Sequence, residues 1–226
     1  ICHLDTDIII SPLAQNIFDF HSDDSISVIS LRNGLPYSYN MALRRIAFFR
    51  NKYYDKKYPL DSVLFSTIDD LYKNNGLDVP KIADEVCSGV FVYNVSKYLE
   101  FFEKIFFSVD RNVKTLTNDG DQTHFNHYVL NENVKFLSYK FQTIWVFEQA
   151  MKYNFLYKHS DKKIIKKCIK SSLLDCHFLH FAGSWHESEM WKNKDNIIQE
   201  DKQVFTDFKN YLDIEVSGQP RGMIKP

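Results

Sequence analysis

Ile1-Cys2-His3-Leu4-Asp5-Thr6-Asp7-Ile8-Ile9-Ile10 places two carboxylates one residue apart between apolar runs. Read as a strand, the segment turns Asp5 and Asp7 to the same face, because side chains alternate sides along an extended backbone. Two carboxylates held side by side repel unless a cation neutralises both, and hard oxygen ligands suit magnesium or manganese. The plain alternative is a solvated turn, so the pair gains meaning only from segments further along the chain.

Three such segments supply that context. Cys87-Ser88-Gly89-Val90-Phe91-Val92-Tyr93-Asn94 reads as a small-residue turn leading into a buried strand. Asp119-Gly120-Asp121-Gln122-Thr123-His124-Phe125-Asn126 reads as a polar loop entering a helix, and His180-Phe181-Ala182-Gly183-Ser184-Trp185-His186 follows the apolar strand residues Phe178 and Leu179. In this order the four segments resemble the sugar-nucleotide-dependent glycosyltransferases of the GT-A fold. The likeness is strongest to the family 8 group, which includes glycogenin and bacterial lipopolysaccharide galactosyl- and glucosyltransferases. Those proteins carry a strand-end D-x-D, an N-A-G-F-x-x-x-N segment, a D-Q-x-x-x-N loop and an H-x-x-G-x-x-K motif. The resemblance covers most of residues 1–195, and implies a GT-A catalytic domain there. Residues 196–226 are expected to form a C-terminal helix and an extended tail.

The resemblance implies an α/β fold with a GT-A-type mixed sheet flanked by helices. It also implies metal-dependent transfer of a hexose from a nucleoside diphosphate sugar, UDP-linked, to a glycan or lipid-linked acceptor with retention of configuration. Asp5, Asp7 and His180 would hold Mn2+ or Mg2+; imidazole suits manganese, and a strand end can deliver it to the carboxylates. Asp121 would accept hydrogen bonds from donor-sugar hydroxyls, and Gln122 would lie near the anomeric carbon. Ser88 and Gly89 match the family's Ala-Gly, and Cys87 stands where the family has Asn. Gly183 would let backbone approach phosphate oxygens. His186 stands where the family has Lys, so its charge on the diphosphate would depend on protonation.

Other chemistries fit less well. The D-x-D-x-T signature of haloacid dehalogenase-type phosphatases requires Thr where this chain has Ile9, and zinc-protease H-E-x-x-H spacing fails after His186-Glu187. The rival from another class is a non-catalytic glycan-binding or scaffold domain derived from a transferase.

Composition narrows the field further. The 226 residues suit one domain with an appendage, and 44% hydrophobic content is enough for a sizeable core. A net charge of −1 argues against a general nucleic-acid binder, which needs a basic surplus. No apolar run reaches the roughly eighteen residues of a membrane helix, and the four cysteines lack C-x-x-C spacing. A cytoplasmic protein with reduced thiols is expected. The basic stretches Arg44–Lys57 and Lys158–Lys170 read as solvated helix faces, with peripheral contact at the inner face of an anionic membrane as the functional alternative. The resemblance places the D-x-D strand after a nucleotide-binding half built from βαβ units. The residues from Ile1 on open at that strand, so the chain is expected to be the C-terminal part of a longer enzyme.

Hydrophobic periodicity gives the remaining elements. Strands are expected near 1–10, 26–31, 86–93, 134–137 and 176–181. Helices are expected near 11–20, 38–54, 61–74, 96–107 (with Ser96 as N-cap), 122–129, 160–173 and 201–211, with a further apolar stretch at 144–157.

Overall fold

The computed structural model describes residues 1–53, 67–108, 122–158, 161–182 and 207–212. The chain is mixed α/β: two small sheets, each combining parallel and antiparallel pairs, are flanked by helices. One sheet contains β1 (Cys2–Leu4), β3 (Ile26–Val28), β4 (Val90–Val92) and β5 (Val134–Phe136), in the order β1-β4-β3-β5. The other contains β2 (Ile8–Ile10), β6 (Thr143–Ile144) and β7 (Phe178–His180), in the order β2-β7-β6.

The opening segment is therefore two strands, and this corrects the single strand expected over residues 1–10. Cys2 pairs with Val92 in the first sheet, whereas Ile8 pairs with His180 in the second. The chain changes sheets through a turn at Thr6 and Asp7. Each carboxylate residue stays tied to its own side: the Asp5 N–H donates to the Gly89 carbonyl (3.0 Å), and the Asp7 carbonyl accepts from the Phe181 N–H (3.0 Å). Asp5 and Asp7 thus meet across a turn between diverging sheets.

Apolar side chains join the layers. Val90 and Val92 of the first sheet share a core with Phe178 of the second, closed by Ile17, Ile29, Leu137 and Phe141. Beneath the first sheet, Ile26, Val28 and Val86 pack on α3 (Val95–Ser108) and α4 (Gln122–Val129) through Tyr98, Ile105, Phe125 and Val129. Beneath the second, Leu179 and Phe181 pack on α6 (Lys162–Asp175) through Ile165, Ile169 and Leu173. Phe208 and Tyr211 of the helical segment 207–212 also rest on this core.

α1 (Tyr39–Tyr53) packs against α5 (Trp145–Met151) through Tyr39, Ala42, Leu43 and Ile46. Its buried stripe continues to Arg50, 2% exposed, while Met41 is 43% exposed, so these two residues exchange the sides that hydrophobicity assigns them. The i, i+4, i+7, i+11 sequence Tyr39, Leu43, Ile46, Arg50 explains the exchange, since helical phase overrides residue type. Along the rim, Arg45 lies over the Phe49 ring, and Lys52 and Lys158 over Tyr53.

Helix starts are set locally. α2 (Ile68–Asn74) begins with a capping box between Thr67 and Asp70. α3 is capped by Asn94, whose side chain accepts from the Ser96 N–H (3.0 Å), two residues before Ser96, the expected cap. The segment 11–20 forms only a turn and a 3-10 helix at Ile17–Phe20. Among the described residues, no helix is long and apolar enough to cross a membrane.

Candidate metal centre

The two ends of the opening turn and the end of β7 converge. His180 Nε2 lies 3.2 Å from Asp7 Oδ1 and 3.6 Å from Asp5 Oδ2. One ligand atom from each of the three residues falls within 4.8 Å of the others. Neighbouring ligands of an octahedral cation stand about 3 Å apart, from bonds of about 2.1 Å at right angles. Both carboxylate–imidazole distances lie close to that edge length, and carboxylate and imidazole are both ligands of divalent cations. The residues present therefore fit a divalent cation.

Burial is graded across the cluster. The side chain of His180 is 3% exposed and that of Asp7 17%, while Asp5 at 44% forms the mouth. Burial opposes charge on the His180 ring, but hydrogen bonds to Asp7 and Cys87 outweigh it and push its pKa up to about 10. The Asp5 carboxyl is held below the usual range, chiefly by its hydrogen bond with His3 at 3.4 Å. A proton on His180 satisfies the same carboxylates that a cation would, so the two compete for the site.

Gly89 forms the wall. A Cβ at this position would sit 2.5 Å from His180 Cε1, 2.8 Å from Asp5 Oδ2 and 2.9 Å from Gln142 Nε2, all closer than side chains tolerate. Space, and not backbone conformation, requires glycine there. The segment Glu85–Gly89 is the hub that connects the surrounding parts. Cys87 is buried with its sulfur 3.8 Å from His180 Nδ1, Val86 is bonded in both directions to the Asn126 side chain, and Glu85 reaches Gln122. Ser88 is half-buried.

Of the residues singled out from sequence, Asp5, Asp7, His180, Gly89 and Cys87 come together. Gln122 is held apart from them: its amide donates to Glu85 Oε1 (3.2 Å), and Arg32 Nε donates to Glu85 Oε2 (2.8 Å). Burial raises the Glu85 carboxyl pKa, and the Arg32 guanidinium pulls it back. Asp121, Gly183 and His186 lie outside the described residues.

Sequence reasoning missed Arg32, Glu85 and Gln142. Gln142 is 1% exposed, and its amide nitrogen is 3.3 Å from His180 Nδ1. Its only sequence signal is a lone amide inside the apolar run Phe141 to Trp145. Compared with protein families, curated proteins and solved structures, the chain matches none of the family models, none of the curated sequences and none of the solved structures.

Proposed function

We propose that Asp5, Asp7 and His180 bind Mn2+ or Mg2+, and that the chain is the metal-holding part of a GT-A-type glycosyltransferase resembling family 8. The reaction would move a hexose from a nucleoside diphosphate sugar to a hydroxyl of a glycan or lipid-linked acceptor, with retention of configuration. The observation that carries the reading is the spacing of the three ligand atoms, within 4.8 Å of one another, at the turn between two sheets. A cation there would supply positive charge to the departing diphosphate.

The chain's own groups would do the rest. Asp7, largely buried beside His180, would anchor the ion, and the more exposed Asp5 would face the incoming phosphates. Gly89, without a side chain, lets Asp5 and His180 close on the hub segment and on each other. Asn126 holds α4, which Gln122 opens, against the hub segment Glu85–Gly89.

One observation favours the non-catalytic glycan-binding reading. Cys87, where the resemblance expects an amide contacting the donor, is buried against His180. Titration of the chain with Mn2+, followed by the electron paramagnetic resonance of the free ion with and without UDP, separates the two. The transferase reading expects Mn2+ binding that UDP tightens and that Asp7→Ala weakens at least tenfold, about 1.4 kcal/mol. Absence of Mn2+ binding, or equal binding by the Asp7→Ala variant, would overturn it. Binding of glycans with no response to UDP would favour the scaffold.

A further inference from the structure

His180 and Gln142 meet in an arrangement that suits a protonated Nε2 and not a cation. The Gln142 amide nitrogen, a donor only, faces His180 Nδ1 at 3.3 Å. In the neutral ring Nδ1 then presents its lone pair, which leaves the hydrogen on Nε2, the atom directed at Asp7 and Asp5. For Nε2 to ligate a cation its lone pair must be free, so the hydrogen belongs on Nδ1. In the present orientation that hydrogen would point at another donor.

A second observation concerns the same side chain. Gln142 Oε1 is fully buried and has no hydrogen-bond partner among the described residues. A buried acceptor left in this way costs about 1–3 kcal/mol. Rotating the amide by about 180° would put Oε1 where the nitrogen now stands, in position to accept from Nδ1–H. One unpartnered atom is then exchanged for another, so the two orientations lie close in energy and the occupant of the site can choose between them.

We infer that Gln142 is the positioning residue of the metal centre: its side-chain carbonyl turns to accept from His180 Nδ1–H and so presents the Nε2 lone pair to the cation. The inference rests on the cation reading of Asp5, Asp7 and His180. Local structure supports the role. Gln142 ends the 3-10 helix Tyr139–Gln142, and the next two residues, Thr143 and Ile144, form β6 and pair in parallel with Leu179 and His180. The amide is therefore delivered to the ring by strand pairing and held there by burial. The competing acceptor at Nδ1 is Cys87 Sγ at 3.8 Å, a much weaker one.

The test compares Mn2+ affinity of the wild-type chain with Gln142→Leu, Gln142→Glu, Cys87→Val and Asp7→Ala, read from the resonance of free Mn2+. Leu keeps the volume but offers no acceptor, so affinity should fall about 10–100-fold, the range for loss of a group that orients a metal ligand. Glu keeps an acceptor facing Nδ1–H, so its affinity should stay within about threefold of wild type or exceed it. Cys87→Val, which removes the weaker acceptor at Nδ1, should lose less affinity than Gln142→Leu. Unchanged affinity in Gln142→Leu overturns the inference, as does an equal loss in Leu and Glu, which would mark a shape requirement. A loss in Cys87→Val matching that in Leu would assign the acceptor to sulfur. If Gln142→Leu does not fold, a tenfold loss in Gln142→Glu is by itself sufficient to reject the role. Binding that disappears in Asp7→Ala but survives in Gln142→Leu keeps the metal site and rejects only this inference. A wild-type chain that binds no Mn2+ rejects both.

Discussion

His21 and His180 show how the same side chain is tuned in opposite directions by its surroundings. His21 Nδ1 meets Ser27 Oγ at 2.7 Å, and burial pushes its pKa below the ordinary value, against the pull of Asp23 and with the push of the N-terminus and Lys135. The ring is thus neutral in the fold, and as pH falls the unfolded chain takes the proton first. The stability it contributes is complete above about pH 6.5 and is lost as pH falls through the lowered folded value. His21→Gln should therefore flatten the decline of the urea midpoint below about pH 6.5, measured with a chelator present. An equally steep decline in wild type and variant would mean that another group governs that limb. His180, raised to about 10, acts in a separate window. Its contribution is present below about 6.5 and is lost as pH rises through the folded value, outside the acidic limb that His21 shares with His177, whose pKa burial also lowers.

At the scale of elements, one amide holds a helix to a strand end. Asn126 is fully buried; its Oδ1 accepts from the Val86 N–H at 2.8 Å, and its Nδ2 donates to the Val86 carbonyl at 2.9 Å. These are the bonds a neighbouring strand would make, supplied by α4. Asn126→Ala would leave both backbone groups buried without partners, and should lower stability by about 2–4 kcal/mol in urea unfolding. A loss below about 0.5 kcal/mol, the level of a surface change, would show that the tether is dispensable. The same bonds require an amide at position 126: it both donates and accepts, and no carboxylate or hydrocarbon can replace it in both roles.

Across the whole molecule, the two sheets meet at the cluster, so ion binding and folding are linked. A cation that binds only the folded chain should stabilise it by about 2.7 kcal/mol at one hundred times its Kd. The expected result is a higher thermal midpoint for wild type in Mn2+ and no rise for Gly89→Ala, because a Cβ at 2.5 Å from His180 Cε1 would force the ligands apart. Gly89→Ala should also be less stable without the ion, by about 1–3 kcal/mol of overpacking. A Mn2+-dependent rise retained in full by Gly89→Ala would remove Gly89 from the wall of the site.

The α/β class, most of the helices and the identity of Asp5, Asp7 and His180 as a set were legible in the order of residues alone. Helical periodicity is a local property, and α1, α3, α4 and α6 could be read from it to within about two residues, the usual scatter of helix ends. The convergence of Asp5, Asp7 and His180 was legible from the order of the four segments and the resemblance they carry, since the carboxylate pair by itself reads equally as a solvated turn. Folding was needed to divide residues 1–10 between two sheets, since only pairing with Val92 on one side and His180 on the other breaks the run at Thr6. Folding also placed Arg50 inside and Met41 outside, because the phase of α1 is set by where α5 lies. Nothing short of the complete fold brings Gln142 to His180 and Arg32 to Glu85. Those partners are 38 and 53 residues apart along the chain. A buried polar group satisfies itself with whatever the fold carries to it, and no local pattern specifies that partner.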